Sequence, residues 1–259
     1  MPFAHLPDVM IHYEFNGDAH LPVLLLSNCL GTNMRMWDPQ MDVFAEHFRV
    51  LRYDTRGLGR SGVTPGPYTI ERLSRDAVGL LDALQLDQVH FCGLSMGGMI
   101  GMFLGTNSPT RCKKIVLCNT AAKIGTAESW EARIQAVQNG GMKAVASSVI
   151  ERWLTAQFRS SHPGETQWVL AMLESANPLG YVANCAAVRD TDLRNMVKDI
   201  HAPCLVVSGT HDPATTPADG QTLAKAIPGA QFVELPASHL SNIEARDDFN
   251  RQIVQFLLS

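Results

Sequence analysis

His90-Phe91-Cys92-Gly93-Leu94-Ser95-Met96-Gly97-Gly98-Met99-Ile100-Gly101 is the stretch on which the fold turns. Within it, Gly93-Leu94-Ser95-Met96-Gly97 has the form Gly-x-Ser-x-Gly. Apolar, strand-like residues (Val89, Phe91) precede it, and a small, apolar run of helical length follows. A serine on so sharp a strand-to-helix turn is held in a strained backbone with its hydroxyl presented at the sheet edge. The flanking glycines are required because a side chain there would collide with the neighbouring strand and helix. A five-residue match arises by chance in a chain with 20 glycines, so the strand before and the helix after carry the weight.

Outward from the turn, short, largely apolar runs recur at residues 23–26, 50–53, 89–92, 115–118, 205–207 and 232–235. Runs of this kind suit strands of a parallel sheet covered on both faces. Val9, Ile11, Tyr13 and Phe15 instead alternate with polar residues, which predicts an antiparallel edge strand. Helical periodicity fills the intervals, notably 70–84, 96–106, 220–227 and 243–258. Strand–helix alternation implies right-handed crossovers and a doubly wound, mostly parallel α/β sheet.

One interval breaks the rhythm. Between residues 121 and 196 no parallel strand is predicted, while Trp130, Ile134, Val137, Val145, Val149, Trp153, Trp168 and Met172 suggest several helices. The stretch is too long for a loop. It reads as a helical cap, inserted before the last two strands over the carboxyl edge of the sheet, where open α/β sheets bind ligands. Residues 1–120 and 197–259 would form the core and 121–196 the cap.

With 259 residues, 46% hydrophobic and 18% charged, the composition is that of an ordinary globular protein with a large core. The net charge of −4, with no basic run, gives no electrostatic reason to expect nucleic acid or an anionic membrane as partner. The first residues lack a charged and then apolar leader pattern, so no signal peptide is expected. No apolar stretch approaches the roughly 18 residues of a membrane span, and a cytoplasmic location is expected. Six scattered cysteines without a Cys-x-x-Cys pair read as reduced core residues, not a metal or disulfide framework. Oligomeric state leaves no mark on a single sequence.

A nucleophilic Ser95 needs a base, and the base needs a carboxylate to hold its tautomer and stabilise the imidazolium. In α/β hydrolases these follow in the order serine, acid, histidine, on loops after later strands. Among nine histidines, His239 lies just past the last predicted strand and before the last helix. His5, His12, His20 and His90 precede the nucleophile, and His162 and His201 follow no strand. Asp212, in Gly209-Thr210-His211-Asp212-Pro213, occupies the loop after the penultimate strand. The alternative acid position, after the earlier strand, is occupied by Asn119, which is no carboxylate. Asp219 and Glu234 are placed worse, in a helix and in a strand. The oxyanion formed during acyl transfer needs preorganised N–H donors; Met96, directly after the nucleophile, and Cys29, after the first parallel strand, are the expected backbone donors.

With these residues in place the chain resembles the 3-oxoadipate enol-lactonase family of α/β hydrolases. The matching stretches include Leu26-Ser27-Asn28-Cys29-Leu30-Gly31-Thr32, Met36-Trp37-Asp38-Pro39-Gln40, Tyr53-Asp54-Thr55-Arg56-Gly57, the turn around Ser95, Leu117-Cys118-Asn119-Thr120-Ala121-Ala122, Ser208-Gly209-Thr210-His211-Asp212 and Ser238-His239-Leu240-Ser241-Asn242. Two positions depart from the family pattern: Cys29 stands where serine is usual, and Leu58 where histidine is usual. The resemblance implies opening of 3-oxoadipate enol-lactone to 3-oxoadipate in aromatic degradation through the β-ketoadipate pathway, with Ser95, His239 and Asp212 as triad. It implies no metal and no organic cofactor, and an anionic small-molecule lactone as ligand.

The carboxylate of such a lactone calls for a cation or several donors. The cap offers Arg133, Lys143, Arg152 and Arg159 beside Glu128, Glu131, Glu151 and Glu165, so most of these charges are expected to be solvated. Arg133 and Trp130, three apart on a predicted helix, share a face; with Trp153 they are the expected substrate-binding residues. A general carboxylesterase or cofactor-free perhydrolase on the same triad is the alternative reading. A non-enzymatic ligand receptor is weakened by the complete triad, and a haloalkane dehalogenase would need aspartate in place of Ser95.

Overall fold

Eight strands lie in one sheet in the order β1-β2-β4-β3-β5-β6-β7-β8 in the computed structural model, which describes residues 2–259. They are β1 (Phe3–His5), β2 (Met10–Asn16), β3 (Val23–Ser27), β4 (Arg49–Tyr53), β5 (Val89–Leu94), β6 (Cys112–Cys118), β7 (Cys204–Gly209) and β8 (Gln231–Leu235). The pairs β1–β2 and β2–β4 are antiparallel and every other pair is parallel. All residues of β5 and β7 are buried, which accounts for their largely apolar sequence, with His90 the one basic side chain in them: both faces meet helices. Leu25 pairs with Leu51 on one side and Phe91 on the other, so the middle of β3 is the centre of the core.

The predicted antiparallel strand is present as β2, but it is not the edge. The three-residue β1 pairs outside it, with Ala4 opposite Ile11. The alternation in β2 therefore does not mark an unpaired margin.

The helices are α1 (Met41–His47), α2 (Ile70–Ala83), α3 (Met96–Asn107), α4 (Ala127–Gly140), α5 (Lys143–Trp153), α6 (Ala156–Ser161), α7 (Pro163–Glu174), α8 (Pro178–Arg189), α9 (Pro217–Ala226), α10 (Ser241–Glu244) and α11 (Arg246–Leu258). Helix α2 starts where the Thr69 side chain accepts from the Arg72 N–H and buries Ile70, Leu73, Ala77, Leu80 and Leu81. The helix expected over residues 243–258 is two helices, broken at Ala245 (φ −116°, ψ 44°). The Glu244 carboxylate reaches back to the Ser238 N–H at 2.9 Å, which ties α10 to the preceding loop. Five helices, α4 to α8, occupy the interval between β6 and β7 without a strand. They fasten to the rest through Tyr68 N–H to Ala183 O (3.1 Å) and Asn184 Nδ2 to Arg56 O (2.8 Å), while Leu193 N–H to Ala122 O (2.8 Å) ties the two ends of the interval together.

Because β4 and β5 lie on opposite sides of β3, the chain changes direction between β3 and β5. Loops leaving the carboxyl ends of these two strands diverge there and open a crevice. Cys29 and Ser95 stand on those two loops. All six cysteines are unpaired and buried, and Leu58 is a core residue. No helix among the described residues is long and apolar enough to cross a membrane.

Candidate active site

Ser95 sits between β5 and α3 with φ 59° and ψ −116°, a conformation that a residue with a Cβ adopts only under constraint. The constraint is visible. The Ser95 N–H donates to Cys118 O at 2.9 Å, and Thr120 Oγ1 donates to Ser95 O at 2.8 Å. A Cβ on Gly93 would stand 2.2 Å from Gly97 O, and one on Gly97 2.2 Å from Ser27 O. Only glycine permits β3, β5 and α3 to approach this closely.

His239 follows β8 and Asp212 follows β7, and the two side chains meet. His239 Nδ1 lies 2.8 Å from Asp212 Oδ2, with His239 and Asp212 only 2% and 3% exposed. The carboxylate is saturated with donors: the Ala214 and Thr215 N–H groups on Oδ1 (2.8 and 3.1 Å), and Thr215 Oγ1 and Asn119 Nδ2 on Oδ2 (2.7 and 3.0 Å). Burial alone would raise the Asp212 pKa, but the imidazole and these donors bring it down to about 2. Burial would likewise lower His239; the adjacent carboxylate overrides it and, with the Cys29 thiol, holds the imidazole above its ordinary value. His90, by contrast, is pushed down to about 4 by burial and then by Lys113 and Lys114, so it stays neutral inside the sheet.

The loop after β3 is fixed to the turn that bears Ser95. The Gly97 N–H donates to Asn28 O at 3.1 Å, and the Asn28 side chain is itself held by Trp37 Nε1 (2.9 Å) and Tyr53 O (2.7 Å). This brings the first turn of α3 beside Cys29. The Met96 N–H opens α3 and is among the groups a helix leaves unpaired. The Cys29 N–H donates to Met36 Sδ at 3.2 Å; a thioether is a weak acceptor that a developing oxyanion outcompetes.

Ser95, His239 and Cys29 line one cavity of about 400 Å³, together with Trp130, Arg133 and Trp153 from the helical insert. Such a volume is in the range of small-ligand sites. Trp130 spends its indole N–H on Ile124 O at 2.7 Å, and the Arg133 guanidinium lies over its ring, 4.6 Å from the centroid. The tryptophan thus positions the arginine by cation–π contact.

Sequence reasoning passed over three participants. Asn119, which is no carboxylate, donates to Asp212 and to Ser238 O (3.1 Å) and accepts from Ser241 Oγ (2.5 Å). Its φ of 43° aims the amide inward, and nothing in the sequence marks a positive φ at an asparagine. Thr215 closes the carboxylate shell. Arg152, grouped above with solvated charges, lines the cavity. Helical spacing could not reveal this, because the orientation depends on how α5 docks.

The chain matches the alpha/beta hydrolase fold family model over residues 22–246. It is 40% identical to 3-oxoadipate enol-lactonase 2 of Acinetobacter baylyi over 98% of this chain and 97% of the relative. It is 37% identical to 3-oxoadipate enol-lactonase 1 of the same organism, over 91% and 88%. The crystal structure of the enol-lactonase from Burkholderia xenovorans LB400 superposes with a TM-score of 0.98 at 45% identity, covering both chains completely.

Proposed function

The chain belongs to the 3-oxoadipate enol-lactonase family of alpha/beta hydrolases, and from that premise we propose that it opens 3-oxoadipate enol-lactone through a Ser95–His239–Asp212 triad. As a member it is a hydrolase of ester bonds, and a lactone is a cyclic ester. The observation that supports the triad most is the 2.8 Å contact of His239 Nδ1 with Asp212 Oδ2 beside a cavity that Ser95 also lines.

In the proposed reaction Ser95 Oγ attacks the lactone carbonyl as His239 takes its proton, and Asp212 steadies the imidazolium. The Cys29 and Met96 N–H groups bind the oxyanion. Collapse of the tetrahedral intermediate breaks the ring C–O bond and expels an enol, which remains tethered to the acyl group. An enol leaves more readily than an alkoxide and demands less proton assistance. Water activated by His239 then cleaves the acyl-enzyme, and ketonisation gives 3-oxoadipate with regeneration of Ser95. The scheme requires no metal or organic cofactor.

Arg133, seated on Trp130, would receive the substrate carboxylate, with Trp153 packing against the ring. Residues 121–196 would then act as a cap on a core formed by 1–120 and 197–259. This reading gives the protein a place in cytoplasmic aromatic degradation through the β-ketoadipate pathway. The test is hydrolysis of the enol-lactone by wild type and Ser95→Ala, with p-nitrophenyl acetate alongside. Lactone turnover that vanishes in the variant is expected. Ester cleavage without lactone turnover would replace the lactonase reading by a general carboxylesterase.

A further inference from the structure

Two arginines face the same cavity. Arg133 enters it from α4 and Arg152 from the end of α5, both half-buried. Neither guanidinium forms an ion pair among the described residues, while the acidic side chains beside them are committed elsewhere: Glu131 pairs with Arg189 at 2.7 Å and Glu151 accepts from Ser147 Oγ at 3.4 Å. The Arg152 pKa is drawn below its ordinary value, by burial first and then by the charge of Arg133. Two like charges held together without a counter-charge from the protein are unfavourable. A ligand that brings negative charge relieves that repulsion.

The position of Arg152 is also fixed relative to the base. Ser238 Oγ donates to Arg152 O at 2.7 Å, and the Leu240 N–H donates to Trp153 O at 3.0 Å. The residues on either side of His239 therefore hang on the carbonyls of Arg152 and Trp153. Glu244 reinforces the junction, accepting from the Ser238 N–H at 2.9 Å and the Thr155 N–H at 3.2 Å. A guanidinium anchored in this way differs from an ordinary surface arginine, since its stem is tied to the loop that carries the base.

We infer that Arg152 is a second specificity-determining cation, forming with Arg133 a two-guanidinium subsite for the ligand's distal carboxylate. The inference rests on the lactonase reading for its substrate but not for its ligand class, which is a short aliphatic chain ending in carboxylate. Hydrolysis creates a second carboxylate at the Ser95 end and releases a proton, so the product is a linear dianion. Short-chain dicarboxylates should accordingly occupy the cavity as competitive inhibitors, one end at the arginines and one at the catalytic loops.

The test compares wild type, Arg152→Met and Arg152→Lys. Two readouts are used: the kcat/KM ratio for the enol-lactone over its methyl ester, and inhibition of p-nitrophenyl acetate hydrolysis by adipate. A charge-assisted hydrogen bond lost to a neutral isostere lowers the ratio by roughly tenfold to a hundredfold. The inference therefore expects a fall of at least about tenfold in Arg152→Met, carried by KM, with adipate inhibition weakened in parallel. Arg152→Lys, which keeps the charge without the fork, should recover part of both and covers the case in which the methionine variant does not fold. A ratio and an adipate constant within about twofold of wild type in Arg152→Met, or, where that variant does not fold, in Arg152→Lys, would overturn the inference while leaving the lactonase reading intact. Adipate inhibition that depends on Arg152 in an enzyme with no lactone turnover would sustain the subsite and overturn only the substrate.

Discussion

Asn119 Nδ2 lies 3.0 Å from Asp212 Oδ2, the oxygen that also faces His239 Nδ1 at 2.8 Å. The asparagine occupies the end of β6, where a carboxylate would be an alternative acid, and serves instead to hold the acid that β7 supplies. Its amide also holds Ser238 O, so one side chain positions both the carboxylate and the loop of the base. Asn119→Ala removes a hydrogen bond to a buried charge, a change worth about 1.5–3 kcal/mol. The expected outcome is a kcat lower by one to two orders of magnitude with KM little altered. A change confined to KM would show that Asn119 does not act through the triad.

The backbone strain at Ser95 predicts a trade between stability and activity. A non-glycine residue held at φ 59° costs about 1–3 kcal/mol, and glycine adopts that region freely. Ser95→Gly should therefore abolish ester hydrolysis and raise the denaturant midpoint, with a gain of about 1 kcal/mol. Ser95→Ala, which keeps the Cβ, should lose activity without the gain. Equal stabilities for the two variants would contradict the strain.

The pH dependence follows from the buried pair. His239 acts as a base only when neutral, and Asp212 raises its pKa above the ordinary 6.5. Activity should fall as pH drops, with the midpoint of the kcat/KM profile above 6.5. Asp212→Asn removes the upward push and leaves burial to lower the imidazole, so its residual activity should titrate below 6.5. The stability contributions have opposite windows. That of His239 is complete below 6.5 and is lost as pH rises through its folded value. That of Asp212 is present above 3.8 and is lost as pH falls toward about 2. A wild-type midpoint at or below 6.5 would mean that the carboxylate does not control the base.

Crowding at the turn can be read from the effect of a single methyl group. A Cβ on Gly97 would stand 2.2 Å from the Ser27 carbonyl, which is backbone and cannot swing aside. Gly97→Ala should destabilise by about 1–3 kcal/mol or more and lower kcat by displacing the loop that carries the Cys29 N–H. A fully active variant of wild-type stability would show that β3 and α3 do not need this approach.

The parallel strands were legible because burial on both faces leaves few polar positions, as in β5 and β7. The Gly-x-Ser-x-Gly turn was legible because its steric demands select residue types. The three residues of β1 are too few to carry a period, so the sequence alone places β2 at the edge. The break at Ala245 is not legible either, since apolar spacing continues through it while Glu244 is held by the Ser238 and Thr155 N–H groups, contacts that no local pattern announces. Asn119 and Arg152 were opaque for a related reason. One depends on a positive φ and partners 93 and 119 residues away, the other on how the end of α5 rests against the loop of the base.

The central claim, acylation of Ser95 by the lactone, is tested most directly by the mass, intact and after digestion to peptides, of enzyme quenched during turnover of 3-oxoadipate enol-lactone. A lactone loses no fragment when it acylates, because its leaving group stays tethered. The account predicts an adduct of the full lactone mass on the peptide containing Ser95, absent from Ser95→Ala, which no longer turns the lactone over. An adduct on Cys29, or lactone turnover that survives in Ser95→Ala, would contradict it.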